Sequence, residues 1–340
     1  MYIDPHVHCR DFEQTQKETI AHALKVAESV GIGAIFDMPN TQPAITTREL
    51  IEKRLKLAEE ANSNVFYGLY AGITADPKQI KEVVDCYNEF FPRVIGLKLF
   101  AGHSVGNLGV IEEEKQNLVY KTLAELNYKG VLAVHCEKES FIKNNLFNPK
   151  KPITHCLARP PVAEFESVKD QIKFAIKNNF KGNLHICHVS VPESVDLIKK
   201  AKDKLRISCA ATPHHCLLNN EIMNSENGIM FKVNPPIRDF TLQRKILEML
   251  KKGDIDFLET DHAPHTMKEK TEQFMSGIPQ LPFYPKIIEL LKKKGFSDKR
   301  IKEITLSRIQ DIFRIDLEEK ELTIGNDYSE DYCFNPYEKL

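Results

Sequence analysis

Residues 130–136 read GVLAVHC, a short apolar, β-branched run that ends on a histidine and a cysteine. Seven more runs of this kind follow or precede it: YIDPHVH at 2–8, IGAIFDM at 32–38, NVFYGLY at 64–70, RVIGLKLF at 93–100, GNLHICHVS at 182–190, KLRISCA at 204–210 and DIDFLET at 254–260. Between them, stretches at 15–30, 47–62, 77–90, 111–127, 161–179, 192–203 and 241–252, with a last one around 285–295, carry apolar residues three or four apart, the spacing of helices with one buried face. Strands alternating with helices make βα units and a parallel sheet. Eight such units predict an α/β chain folded as a closed (β/α)₈ TIM barrel. The unusual polar residues fall at the ends of the strands, where barrel active sites are assembled. Residues 1–315 are therefore expected to form the barrel, and the acidic, aromatic stretch 316–340 an extension packed on it. Only five residues precede His6, so no substantial N-terminal β-sandwich is expected.

Composition narrows the function classes. The 340 residues are 42% hydrophobic and 28% charged, with a formal net charge of −1, so the chain can bury a large core but offers no field to hold nucleic acid or an anionic membrane. A small-molecule partner is the expectation. The start, MYIDPHVHCRD, shows neither a basic nor an apolar leader, which points to a cytoplasmic protein. The eight cysteines are dispersed without a C-x-x-C pair, so reduced thiols are expected rather than disulfides or a thiolate metal site.

His6 and His8 alternate on the first strand and so share a face, which is chelating geometry. A lone H-x-H is common by chance, and further ligands must come from elsewhere. His135 ends the fifth strand and His188 lies near the end of the sixth, where neutral imidazoles suit zinc or similar ions. His185, three residues from His188, is expected to face the other way and to be structural or supporting. Asp261, after the eighth strand, can ligate a metal and move a proton, or simply cap a helix. Lys98 in GLKLF is either a lysine snorkelling from a strand end or, after carboxylation by CO₂, an anionic carbamate able to bridge two cations.

The motifs HVHCRD, DMPNT, GLKLF, AVHCE, HICHVS, ATPHH, KVNPP and TDHAPHT occur in the order found in dihydroorotases of the amidohydrolase superfamily, and the likeness spans roughly residues 4–315. HICHVS and TDHAPHTMKEK resemble especially the dihydroorotase part of the animal multifunctional pyrimidine-synthesis protein. The resemblance implies a metal-dependent hydrolase barrel with two zinc ions: His6, His8 and Asp261 on one, His135 and His188 on the other, and carboxylated Lys98 between them. It implies reversible hydrolysis of L-dihydroorotate to N-carbamoyl-L-aspartate in pyrimidine biosynthesis, with Asp261 carrying the proton. Arg10, Asn40 and His265 would bind the substrate carboxylate, and Asn234, Ser104 and Pro279 would line the same pocket. The glycine-containing segment 101–106 falls where related enzymes have a mobile loop, and His214 and His215 would be structural or supporting. A homodimer is common among such enzymes, and aspartate transcarbamoylase is the protein partner suggested. HCRDFEQ lacks the Pro-Gly that often follows the arginine, and GIPQLP lacks a second glycine, which bears on substrate geometry more than on metal binding. The competing expectations are another cyclic amidohydrolase (allantoinase, dihydropyrimidinase or hydantoinase) and a non-catalytic partner of aspartate transcarbamoylase.

Overall fold

A computed structural model of the chain describes residues 1–103, 108–318 and 321–340. Eight strands, β1 (Tyr2–Val7), β2 (Ile32–Asp37), β3 (Phe66–Gly72), β4 (Val94–Phe100), β5 (Val131–His135), β6 (Asn183–Ile186), β7 (Ile207–Ala211) and β8 (Phe257–Leu258), lie in chain order in one sheet, each parallel to the next. A parallel bridge between Val7 and His262 closes the ring, with the His8 N–H donating to the His262 carbonyl at 2.9 Å. The (β/α)₈ barrel expected from the sequence is what the chain forms.

The principal helices between the strands span Ile20–Ser29, Arg48–Glu60, Pro77–Phe90, Glu113–Glu125, Pro161–Lys177, Pro192–Ala201, Phe240–Lys252 and Tyr284–Lys293. Their starts are set chemically: the side chains of Thr19, Thr47, Asp76 and Asp239 each accept a backbone N–H of the first turn. Gly253, at φ 95°, ends the Phe240–Lys252 helix in a conformation that costs a side-chain-bearing residue more.

Two apolar layers result. The outer one packs helices on strands through residues such as Leu24, Ile35, Leu69, Val83, Leu132 and Ile198. The inner one, Ile3, Phe36, Tyr70, Ile95, Phe257 and Phe313 among others, fills the barrel from below. Phe313, from the helical segment 298–313, packs on Phe36 with ring centroids 5.0 Å apart and so plugs the floor. The opposite, C-terminal mouth is left for polar residues. Among the described residues no helix is long and apolar enough to cross a membrane.

The differences from the sequence reading are local. The first helix begins at Ile20, because Arg10, Asp11 and Phe12 all adopt positive φ (50°, 52° and 48°) and a short 3₁₀ turn follows at Phe12–Gln14. β6 stops at Ile186 and His188 has φ 37°, so strand alternation does not decide between His185 and His188. Both turn inward: His185 stacks on Phe257 at 4.8 Å, and the His188 N–H donates to Glu259 at 2.6 Å.

The turn at Arg10–Phe12 rests on one buried ion network. Arg54, fully buried, donates to Asp37 (2.7 and 3.1 Å), to Asp11 (2.8 Å) and to the Arg10 carbonyl (2.9 Å). The Tyr67 hydroxyl and the Cys9 N–H complete the shell of Asp37 at 2.6 and 2.8 Å. Removing one partner of such a set leaves the others charged and buried. Arg54→Met is therefore expected to cost about 3–5 kcal/mol of stability in urea unfolding, by the usual penalty for an uncompensated buried charge; a loss under about 1 kcal/mol, the range of an exposed pair, would contradict the network's role.

Candidate metal and substrate site

At the C-terminal mouth of the barrel lies a cleft of about 440 Å³. His6, His8, Lys98, His135, His188 and Asp261 all line it, as do Arg10, Asn40, Asn234 and His265. Six strand ends bring together nine residues named from the sequence, and the long segment after β7 adds Asn234. Pro279 is buried but is not among the residues lining the cleft, whereas Gly277 is. Ser104 lies outside the described residues, as do 105 and 106 of the 101–106 segment.

His6, His8 and Asp261 each offer a ligand atom within 4.8 Å of the others. His8 Nε2 is 2.8 Å and His6 Nε2 3.3 Å from the same Asp261 oxygen. Asn40 Oδ1 sits 2.7 Å from His8 Nδ1, which fixes the ring with Nε2 facing Asp261. Burial and the Arg10 guanidinium push His8 down to about 4, so its imidazole is neutral at pH 7. Burial also pulls His6 down, but Glu259 and Asp261 outweigh it and raise His6 to about 10. Two carboxylates thus draw a positive charge to this point. A divalent cation meets the same demand and displaces that proton on binding.

The second group faces the first across the cleft. His135 Nδ1 and His188 Nε2 lie 3.2 Å apart, two ring nitrogens converging on one place, and the His188 ring is 5.4 Å from that of His6. His188 Nδ1 is buried with no hydrogen-bond partner among the described residues. Glu137 holds His135 from behind at 3.1 Å and is itself clamped by Arg159 through Nε and Nη2 (3.0 and 2.5 Å). Burial raises the Glu137 carboxyl, but Arg159 and His135 more than reverse this and keep it well below the usual carboxylate range.

Lys98 is fully buried between the two groups. Among the described residues its amine hydrogen-bonds only the Cys187 sulfur, at 3.1 Å, with no carboxylate in ion-pair range. An ammonium so placed is poorly compensated, whereas an anionic carbamate would answer the cations that the histidines and Asp261 are built to hold. The donor set therefore fits a metal pair. His185 lies one layer deeper beside Glu259 at 3.3 Å. His214 and His215 are held by Gln280 (2.6 Å) and by Thr212 and the Pro235 carbonyl (2.7 and 3.0 Å).

Arg10 is 4% exposed, and among the described residues no carboxylate lies in ion-pair range; its one bond is a long one to the Asn40 carbonyl, 3.4 Å, and its Nε has no partner. Such a buried guanidinium is a site for an anionic ligand. His265 Nε2 faces the Ser276 carbonyl at 3.0 Å, so that nitrogen carries the proton and Nδ1 presents a lone pair. Burial and Arg10 push His265 down to about 2, which leaves Arg10 as the charged donor there.

The sequence reading missed Glu137 and Glu259, although each lies two residues from a proposed ligand, in AVHCE and LETDH. It also missed Lys17, Lys232 and residues 273–276, which line the cleft but sit in no strand.

No family model matches the chain. The dihydroorotase of Methanosphaera stadtmanae is 33% identical over 324 residues, which is 92% of this chain and 70% of that protein. Those of Lactobacillus acidophilus (32% identical, 79% of this chain and 61% of the other) and Thermococcus kodakarensis (33%, 82% and 59%) follow, so the chain spans less than two thirds of these two. Among solved structures, an L-hydantoinase (dihydropyrimidinase) from Arthrobacter aurescens superposes with a TM-score of 0.83 at 23% identity, covering 96% of this chain and 74% of that one. A dihydroorotase from Campylobacter jejuni gives 0.71 at 18% identity, with 94% and 84% covered. The relatives and the solved structures that the chain resembles are cyclic amidohydrolases, and it shares their barrel fold. Within that class, the chain belongs to the dihydroorotase family.

Because Glu137 orients His135, Glu137→Gln is expected to weaken zinc binding about 10–100-fold, the usual cost of losing a ligand's orienting partner. Competition against a chelator reads this directly, and an affinity equal to that of the unaltered chain would show that His135 needs no such support.

Proposed function

We propose that the chain is a zinc-dependent dihydroorotase acting in pyrimidine biosynthesis. In this reading it interconverts L-dihydroorotate and N-carbamoyl-L-aspartate, with barrel 1–315 carrying the site and 316–340 serving as an extension. The observation that carries it is Arg10: a buried guanidinium without a carboxylate partner, in a cleft that also holds the clustered histidines and Asp261. Cyclic amides that lack a carboxylate, such as hydantoin or dihydrouracil, would leave that charge unanswered.

His6, His8 and Asp261 would hold one zinc, His135 and His188 a second, and Lys98, its amine carboxylated by CO₂ with loss of a proton, would bridge them. Bound there, the metals would polarise the ring carbonyl and supply a water-derived nucleophile near neutral pH. Asp261 Oδ1 faces both His6 and His8, so its carboxylate is placed to accept the water proton and pass it to the ring nitrogen as the amide C–N bond breaks. Ring closure runs the same steps backwards. Arg10, with Asn40 behind it, would grip the substrate carboxylate, while His265 braces Ser276 and Asn234 borders the ring. Glu137 and Glu259 keep the imidazoles of His135 and His6 aimed into the cleft, and Glu259 also holds the backbone N–H of His188. The partner of the enzyme is then a small carboxylate, dihydroorotate or N-carbamoyl-L-aspartate; a homodimer, and association with aspartate transcarbamoylase, are the assemblies to test by sedimentation.

The deciding assay gives the zinc-loaded chain L-dihydroorotate, hydantoin, dihydrouracil and allantoin in parallel. Dihydroorotate is expected to be turned over best. Arg10→Met should lower its kcat/KM about 100-fold, as two charge-assisted hydrogen bonds at about 1.5 kcal/mol each would give, while leaving slow turnover of the uncharged rings unchanged. Faster hydrolysis of a carboxylate-free ring by the unaltered chain would sink the assignment in favour of a hydantoinase-like enzyme. A metal-free, inactive chain that binds aspartate transcarbamoylase would instead favour a non-catalytic partner.

A further inference from the structure

Lys270 is among the largest fully buried side chains, at 1% exposure, and among the described residues its amine bonds no carboxylate. Its ammonium donates to three backbone carbonyls: Gly277 at 2.8 Å, Met275 at 3.0 Å and Lys232 at 3.1 Å. Three protons meet three acceptors, so the group is saturated. The carbonyls come from two separate segments, 275–277 and 232, and both border the cleft.

The fastening is reciprocal. The Gly277 N–H donates to the Lys232 carbonyl at 2.9 Å, and Lys232 Nζ reaches back to the Phe274 carbonyl and the Ser276 hydroxyl, both at 2.8 Å. Gly277 runs at φ 137° against the Ala263 carbonyl, where a Cβ would come within 2.5 Å, so the loop is pressed on the strand end that carries Asp261 and His265. A capping box between Thr266 and Glu269 starts the short helix Met267–Thr271 that presents Lys270. The cage is not there for stability alone. Burial, with repulsion from Lys232, pushes the Lys270 ammonium down to about 7, so the charge is held against a desolvation cost that an apolar side chain would avoid.

We infer that Lys270 is a positioning residue for substrate specificity: its ammonium ties 275–277 to Lys232 and so presets the cleft wall against which the substrate ring is held. This rests on the dihydroorotase reading for the identity of the ring, but the preset wall itself does not. A loop already ordered before binding spares the ligand the cost of ordering it, so the effect falls on binding rather than on the bond-breaking step.

The test compares the full-length zinc-loaded chain with Lys270→Met and Lys270→Arg, using L-dihydroorotate kinetics, bound zinc, and amide exchange in ligand-free protein. Lys270→Met is expected to raise KM at least about tenfold, the effect of losing roughly 1.4 kcal/mol of preorganisation, while kcat and zinc content stay within about threefold. Lys270→Arg, which keeps donors and charge, should recover part of the loss. The amides of Met275 and Gly277 should be protected in the unliganded wild-type chain and exchange faster in Lys270→Met. An unchanged KM overturns the inference, as does a joint fall of kcat, zinc content and affinity, which would mark a residue of general structural importance. Should Lys270→Met fail to fold, the wild-type exchange alone decides: unprotected 275 and 277 amides that become protected only with N-carbamoyl-L-aspartate would show a wall made by the ligand. If the chain does not turn over dihydroorotate, the functional reading fails, yet the exchange comparison still reports on Lys270.

Discussion

Closure of the barrel between β1 and β8 is the constraint on which the site depends. β8 has only two residues, too few to form a ladder with β1, and the seam is made by one backbone bridge just beyond β8 together with side-chain contacts. The Thr260 hydroxyl and N–H both donate to Asp4 (2.5 and 3.1 Å), and the His8 N–H bonds the His262 carbonyl. These contacts bring residues more than 250 positions apart into register. Asp261 lies between Thr260 and His262, so the same seam that shuts the barrel sets its carboxylate against His6 and His8. Burial lifts the Asp4 carboxyl to about 7, against the opposing pull of the Thr260 hydrogen bonds, so the seam is bought at some electrostatic cost. A longer eighth strand would pair more simply, but the short one frees the chain to turn at Asp261, which has φ 52°.

The same logic of compensated burial runs outward from the seam. His6 is flanked by two carboxylates, Glu259 and Asp261, while His135 leans on a third, Glu137, that Arg159 neutralises. Glu259 and Asp261 therefore drive the first imidazole towards positive charge. The flanking carboxylates distinguish the two candidate metal positions: at the first, cation binding would displace the proton that they draw to His6, whereas at the second the ring nitrogens of His135 and His188 face one another.

Much of this was legible in the sequence, and the exceptions have physical reasons. Strands, helices and barrel follow from local periodicity, and GVLAVHC and RVIGLKLF become β5 and β4 almost residue for residue. The residues His6, His8, Lys98, His135, His188 and Asp261 stand out because polar side chains at the ends of apolar strands are unusual. Alternation failed at His185 and His188 because β6 ends between them. Glu137 and Glu259 were passed over because a carboxylate near a motif has many ordinary uses, and only the fold shows which ring it faces. Arg54 and Lys270 were illegible for a different reason: Arg54 sits on a helix like any solvated cation, Lys270 on a short polar turn of helix, and their partners lie in segments brought together by the fold.

Those two buried cations are compensated in opposite ways, and the difference bears on what the cleft attracts. Arg54 is surrounded by Asp37 and Asp11, so its charge is cancelled where it stands. Among the described residues Lys270 and Lys232 donate only to carbonyls and a hydroxyl, and Arg10 to a carbonyl alone, so the charge they carry, partial at Lys270 near neutral pH, is solvated by dipoles and not cancelled by carboxylates. Lys17 is the exception, paired with Glu269 at 3.1 Å. The cleft wall thus keeps a positive field that low-dielectric surroundings focus on the mouth. A dianion such as N-carbamoyl-L-aspartate is drawn into such a field more strongly than the monoanionic ring, and an uncharged ring is not drawn at all. The choice of carbonyl over carboxylate at Lys270 and Lys232 lets the same groups hold the wall in place and keep it attractive to carboxylates.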